Sequence, residues 1–145
     1  MARLFLFALA AGLSLPIVSC SYQDETSQTG KPIIETLVSA TESWNGDPYS
    51  YPEGQAEMTL LRITAPIGFR TPVHTHPQPG VAYVFKGKLD CVVTAENTKV
   101  FSAGDSFATT SGETAHYCQS IGNEPAIVFV AYAGVEGQPI TVPLK

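Results

Sequence analysis

The chain has 145 residues, enough for one domain. It carries 13 acidic against 8 basic residues, a net charge of −5 with no basic cluster, which excludes a nucleic-acid footprint and a polybasic membrane surface. Charged residues make up only 14% of the chain, beside 12 glycines and 11 prolines, a balance that suits an all-β fold with many turns.

Residues 1–20 read as an export signal. Arg3 and the amino terminus are positive, Leu4 to Val18 is an apolar run too short to span a bilayer comfortably, and Gly12 and Pro16 interrupt it. The end of this segment, "LPIVSC", resembles a bacterial lipobox, with Ile17, Val18 and Ser19 ahead of Cys20, and the resemblance implies lipidation of Cys20. A plain secretory signal cut near Ser19 or Ser21 is the alternative. "SYQDETSQTGK" (21–31) lacks apolar periodicity and opens a polar tether assigned to residues 21–35, which leaves 36–145 for the folded domain. The expected location is the bacterial cell envelope, lipid-anchored on the periplasmic side, or alternatively outside the cell as a secreted protein. With Cys20 set aside, Cys91 and Cys118 form an even pair, which suggests a disulfide in an oxidising compartment; two buried free thiols are the alternative.

The one helix candidate, "PIIETLVSATESW" (32–44), is poor because β-branched residues, Thr and Ser crowd it. Strand-like segments then follow in order: "EMTLLRITA" (57–65), "TPVHTH" (71–76), "VAYVFKG" (81–87), "KLDCVVTA" (88–95), "KVFSA" (99–103), "DSFATT" (105–110), "AHYCQS" (115–120), "AIVFVAYAG" (126–134) and the closing "PITVPL". Roughly nine strands in about 110 residues, mostly joined by tight turns, predict an antiparallel fold of two packed sheets or one rolled sheet. Tyr83, Phe85, Phe107, Phe129 and Tyr132 are expected in the barrel core, some of them lining a pocket.

The three histidines carry the chemistry. In a strand, residues i and i+2 share a face, so His74 and His76 project together with Cα atoms roughly 6.5–7 Å apart. That separation lets two imidazoles converge on one ion, a mechanical chelate that is a weak signal alone. His116 opens a later strand and supplies a third nitrogen.

These residues reach a resemblance. Gly68, five residues, His74 and His76, then the closing Gly87, are similar to the first motif of the cupins, small jelly-roll barrels. Gly104-Asp105, Gly112 and His116 resemble the second motif, with one extra residue before the histidine, and "GNEPA" (122–126) resembles the turn into the last core strand. The resemblance covers about residues 57–135. It departs in three places: Gly80 stands where the motif has its glutamate, Thr110 where it has a proline, and Ser120 where it has an asparagine.

The resemblance implies an all-β single jelly-roll barrel holding a divalent transition metal on His74, His76 and His116. Three neutral imidazoles leave the ion its full +2 charge, which favours anionic ligands such as an enolate or carboxylate. Fe²⁺ is the expected metal, with Zn²⁺ and Ni²⁺ as alternatives, whereas Mg²⁺ and Ca²⁺ want oxygen donors. Three-histidine iron sites occur among cupin-like thiol and diketone dioxygenases. The implied function is therefore a metal-dependent, dioxygenase-like oxidoreductase acting on a small organic molecule. The alternative is a non-catalytic binding or sensing cupin, since fold does not decide function. Further candidates are Gln78, as an amide oxygen donor if its loop bends inward; Glu113, as an outer base or carboxylate ligand; and Arg70, as an anion-binding group at the pocket mouth. Each is also an ordinary surface residue type. In a jelly roll the strands of Cys91 and Cys118 are neighbours, which implies a disulfide beside the pocket. Cupins often dimerise, so the resemblance leaves a homodimer open beside a monomer. No nucleophile triad, phosphate loop or nucleotide fingerprint is present, which argues against hydrolase and kinase chemistry.

Overall fold

The computed structural model describes residues 30–144. The expected export signal, Cys20 and the first part of the tether lie outside the described residues.

The compact unit beginning at Ile34 holds nine strands and, among the described residues, no helix. They are β1 (Ala56–Ala65), β2 (His74–His76), β3 (Gly80–Lys86), β4 (Lys88–Val92), β5 (Thr98–Ser102), β6 (Ser106–Ala108), β7 (Gly112–Ile121), β8 (Ala126–Val135) and β9 (Val142–Pro143). They form two antiparallel sheets, a four-stranded one in the order β1-β8-β3-β6 and a five-stranded one in the order β5-β4-β7-β2-β9. The sheets pack face to face, as the alternating sequence predicts. The segment 32–44 forms no helix, in keeping with its low propensity.

The alternation of β8 shows how the sequence builds the layers. Ala126, Val128, Val130 and Tyr132 point inward and are buried, while Ile127, Phe129 and Ala131 are half-buried on the outer face. β3 repeats the pattern with Gly80, Ala82 and Val84 inward. Tyr83, Phe85 and Phe129, expected in the core, instead lie on the outside. Phe85 is 58% exposed, and its ring meets Phe129 edge to face at 6.0 Å. A register shift between Val84 and Lys86 turns the strand there. Phe101 and Phe107 do reach the core, stacked at 3.8 Å with Trp44 edge-on to Phe101 at 6.0 Å. A buried side chain of this size contributes roughly 1.5–3 kcal/mol.

Two junctions hold the site region together. Gly87 turns the chain from β3 to β4 with φ +74°, and an added Cβ would meet Pro125 O at 2.7 Å and Ala126 Cα at 2.9 Å, so only glycine fits there. On the other sheet Cys91 of β4 and Cys118 of β7 are directly opposite, with Cα atoms 4.0 Å apart, and their sulfurs are bonded.

Candidate metal centre

The three histidines come from β2 and β7, neighbours in the five-stranded sheet. His74 pairs with His116 across β2 and β7, and the register slips before His76 pairs with Gly112. The slip leaves extra residues on β7, and such irregularities re-aim side chains beside functional sites. All three rings are buried, at 7%, 6% and 5% exposure for His74, His76 and His116. Their centroids lie 4.4 to 5.0 Å apart, and their ligand nitrogens all fall within 4.8 Å of one another.

Each ring is oriented by a backbone carbonyl. His74 Nδ1 lies 2.7 Å from Pro72 O, His76 Nδ1 lies 2.7 Å from Ile140 O, and His116 Nδ1 lies 3.2 Å from Thr114 O. A carbonyl only accepts, so in the neutral rings these contacts place the proton on each Nδ1 and leave each Nε2 a lone pair. His74 Nε2 and His76 Nε2 stand 3.2 Å apart. Two lone pairs at that distance repel each other, and a shared cation converts the repulsion into coordination. Burial is the main reason that His76 falls to about 4, against the raising effect of the Ile140 carbonyl; the charges of His116 and His74 lower it further. Burial, then the charge of His74, lowers His116 to about 4 as well, against the Thr114 carbonyl. Both are therefore neutral donors at neutral pH. Three buried, pre-oriented imidazole nitrogens with no carboxylate fit a divalent first-row transition metal and do not fit Mg²⁺ or Ca²⁺.

The centre opens into a cavity of about 320 Å³ between the sheets. Its walls are mostly apolar, with Leu61, Ala82, Phe107, Val128 and Val130 along the sides and Trp44 among the lining residues. Two hydroxyls on this wall, Thr110 Oγ1 and Ser120 Oγ, are buried with no hydrogen-bond partner among the described residues. Both occupy the positions that depart from the second motif. Tyr132 also lines the cavity, and its hydroxyl lies 3.2 Å from His76 Nε2. Burial, with a smaller contribution from Tyr49, pushes the Tyr132 phenol up from its ordinary value.

The remaining candidates lie elsewhere. Gln78 is 3% exposed, but its amide fills the space beside Gly134 and its Nε2 reaches Gln138 O at 3.5 Å, so its loop does not bend into the centre. Glu113 is exposed, outside the cavity lining and opposite in parity to His116 on β7. Arg70 leaves the pocket mouth because residues 71–73 are not strand, and the parity counted back from His74 fails there. Its guanidinium sits 3.5 Å above the Tyr117 ring, on the outer side of β7. The sequence places Tyr132 among core aromatics, some of them lining a pocket, but gives it no part in the centre, and it does not single out Trp44 or the Ile140 carbonyl. For Tyr132 a signal existed, since the inward parity of β8 carries it to the same layer as Val128 and Val130.

Residues 61–132 match the family model described as a cupin domain. A cupin 2 domain-containing protein from Halorhodospira halophila superposes with TM-score 0.50 at 12% identity, over 61% of this chain and 58% of that one. An RmlC-like cupin from Shewanella frigidimarina NCIMB 400 gives TM-score 0.47 at 23% identity, over 56% of this chain and 69% of that one. Oxalate decarboxylase from Lactobacillus farciminis, in its formate complex, gives TM-score 0.47 at 25% identity, over 63% of this chain but only 27% of that one. No curated protein matches the chain. Residues 61–132 carry a cupin domain, and the chain has the cupin jelly-roll fold.

Proposed function

We propose that this cupin-domain chain is a metal-dependent, dioxygenase-like oxidoreductase that acts on a small organic molecule in the cavity beside His74, His76 and His116. The observation that carries the reading is the set of three carbonyl-capped imidazoles whose ligand nitrogens lie within 4.8 Å of one another. His74, His76 and His116 would hold Fe²⁺, with Zn²⁺ or Ni²⁺ as the alternatives. The bound ion would supply Lewis acidity and, as iron, electron transfer from a bound organic anion to oxygen. The protein's own part is positioning. The apolar walls exclude water and receive a hydrocarbon body. Ser120 lies on the same face of β7 as His116, about 13 Å along the strand at ~3.3 Å per residue. Its hydroxyl, with that of Thr110, is free to bond polar groups of a ligand.

A second reading is a binding or sensing pocket without turnover. It draws on the cavity lining, which has no carboxylate and no lysine among the described residues to move a proton. The same experiment separates the two. The purified protein is supplemented with iron, zinc or nickel, its metal is quantified by mass spectrometry, and oxygen uptake is followed with diketone, phenolic and thiol substrates. Bound iron with substrate-dependent uptake supports the enzyme. Tight ligand binding without consumption supports the sensor. No stoichiometric metal under any supplementation sinks the metal-site reading.

Export belongs to the same proposal, with Cys20 as the lipid attachment point and the periplasmic side of the envelope as the location, or secretion as the alternative. The Cys91–Cys118 bond supports an oxidising compartment. Labelled fatty acid incorporated by the wild type and not by Cys20→Ala is the expected result. A homodimer is supported by the apolar outer face of the four-stranded sheet, where Met58 and Leu60 are 73% and 70% exposed. Sedimentation at two protein concentrations tests it.

A further inference from the structure

Gly80 stands where the first cupin motif carries its glutamate, and the structure accounts for the replacement. Gly80 opens β3 on its inward face, in line with Ala82 and Val84, so a side chain there would point between the sheets. It lies directly opposite Tyr132 on β8. A Cβ added at Gly80 would fall 2.7 Å from Tyr132 Cδ1, 2.9 Å from Tyr132 Cε1 and 2.9 Å from Ala131 O. The backbone cannot retreat to relieve those contacts. Gly80 O accepts from Thr109 N at 2.8 Å, from Thr109 Oγ1 at 3.2 Å and from the Tyr49 hydroxyl at 3.4 Å. The phenol ring therefore occupies the volume that a residue-80 side chain would need.

The end of that ring reaches the centre. Tyr132 Oη is 3.2 Å from His76 Nε2, the same separation that His76 Nε2 keeps from His74 Nε2. Donors bound at about 2.0–2.1 Å in a tetrahedral set lie roughly 3.3 Å from one another, so both separations match neighbouring ligands of one ion.

We propose that the Tyr132 phenol is the fourth protein donor of this centre, an oxygen ligand delivered from β8 in place of the carboxylate that Gly80 lacks. The proposal rests on the metal-site reading above. Coordination exchanges the phenol's proton for the metal–oxygen bond, and the proton leaves to solvent. The ligand set then becomes three nitrogens from the five-stranded sheet and one oxygen from the four-stranded sheet.

The test is spectroscopic and needs no substrate. The full chain is loaded with ferrous ion, oxidised to the ferric form and examined by visible absorption and resonance Raman scattering, with bound iron quantified in parallel. The expected wild-type result is a phenolate-to-iron charge-transfer band with enhanced tyrosinate vibrations. Tyr132→Phe, which keeps the ring and its packing, is expected to lose the band and to weaken iron binding by more than the roughly 10–100-fold that an outer partner of a ligand costs. If Tyr132→Phe retains no iron, the tyrosinate vibrations of the wild type decide alone. Wild-type protein that binds iron without the band, or a band that survives in Tyr132→Phe, overturns the proposal while leaving the three-histidine centre standing. Wild-type protein that binds no metal overturns both.

Discussion

The two sheets divide the work unevenly. The five-stranded sheet supplies every imidazole, from the three-residue β2 and from β7, and its Cys91–Cys118 bond ties β4 to β7. The four-stranded sheet supplies a regular ladder, β1 against β8 over ten uninterrupted pairs, whose inner side chains are mainly apolar. Donor positioning depends on a short, irregular strand fixed by side-chain-to-carbonyl bonds. Cavity shape depends on long, regular pairing. Chemistry and packing can therefore be perturbed separately, with Tyr132 an inner residue of the regular sheet that reaches a histidine.

The largest effect that can break this division is loss of a ligand. His76→Ala or His116→Ala is expected to reduce metal affinity by more than the roughly 10–100-fold that outer partners of ligands cost, read by metal content after dialysis. The fold of His76→Ala should survive, because removing one of the two facing lone pairs of His74 and His76 relieves repulsion in the metal-free protein. Next comes the disulfide. Its 27-residue separation predicts about 3–4 kcal/mol of lost stability in Cys91→Ala with Cys118→Ala, measured by denaturant unfolding. Acid acts on the same sheet. The unfolded imidazoles protonate near 6.5, whereas folded His76 and His116 resist protonation until about 4. Acid therefore favours the unfolded chain. Stability of the metal-free protein should be full above pH 6.5 and fall by on the order of a few kcal/mol as pH drops to about 4. A flat unfolding free energy across that window would contradict the buried, neutral arrangement.

The four-stranded sheet should respond in the opposite sense. Val84 is fully buried there, and Val84→Ala is expected to cost about 1–3 kcal/mol while leaving metal affinity within about twofold. Smallest of all is Arg70→Ala, which removes a stacking contact on an exposed face and should cost no more than about 1 kcal/mol. A marked fall in metal or ligand affinity from Arg70→Ala would return that residue to the pocket mouth.

The sequence exposes regular strands better than it exposes side-chain convergence. Val128, Val130 and Tyr132 of β8 announce their inner face by alternation, and Gly87 announces a turn. Arg70 misleads because parity holds only inside a strand, and β2 begins at His74. Gln78 misleads for the opposite reason: a polar residue beside a candidate ligand reads as loop, yet it is buried against Gly134. The pairing of His74 with His116 is suggested by motif spacing, but the register slip that follows it cannot be counted from either strand alone. The role of the ring opposite Gly80 depends on cross-strand register as well, and a single chain read in one dimension carries no register between β3 and β8.

The bond from His76 Nδ1 to Ile140 O has a consequence for the order of assembly. The two residues are 64 positions apart, so this contact closes a long loop and requires β9 to settle beside β2. Until it does, nothing fixes the proton of His76 on Nδ1, and its Nε2 is not committed to the centre. Metal capture should lag behind closure of the barrel, making late ion uptake during refolding a direct clock for the arrival of the residues around Ile140.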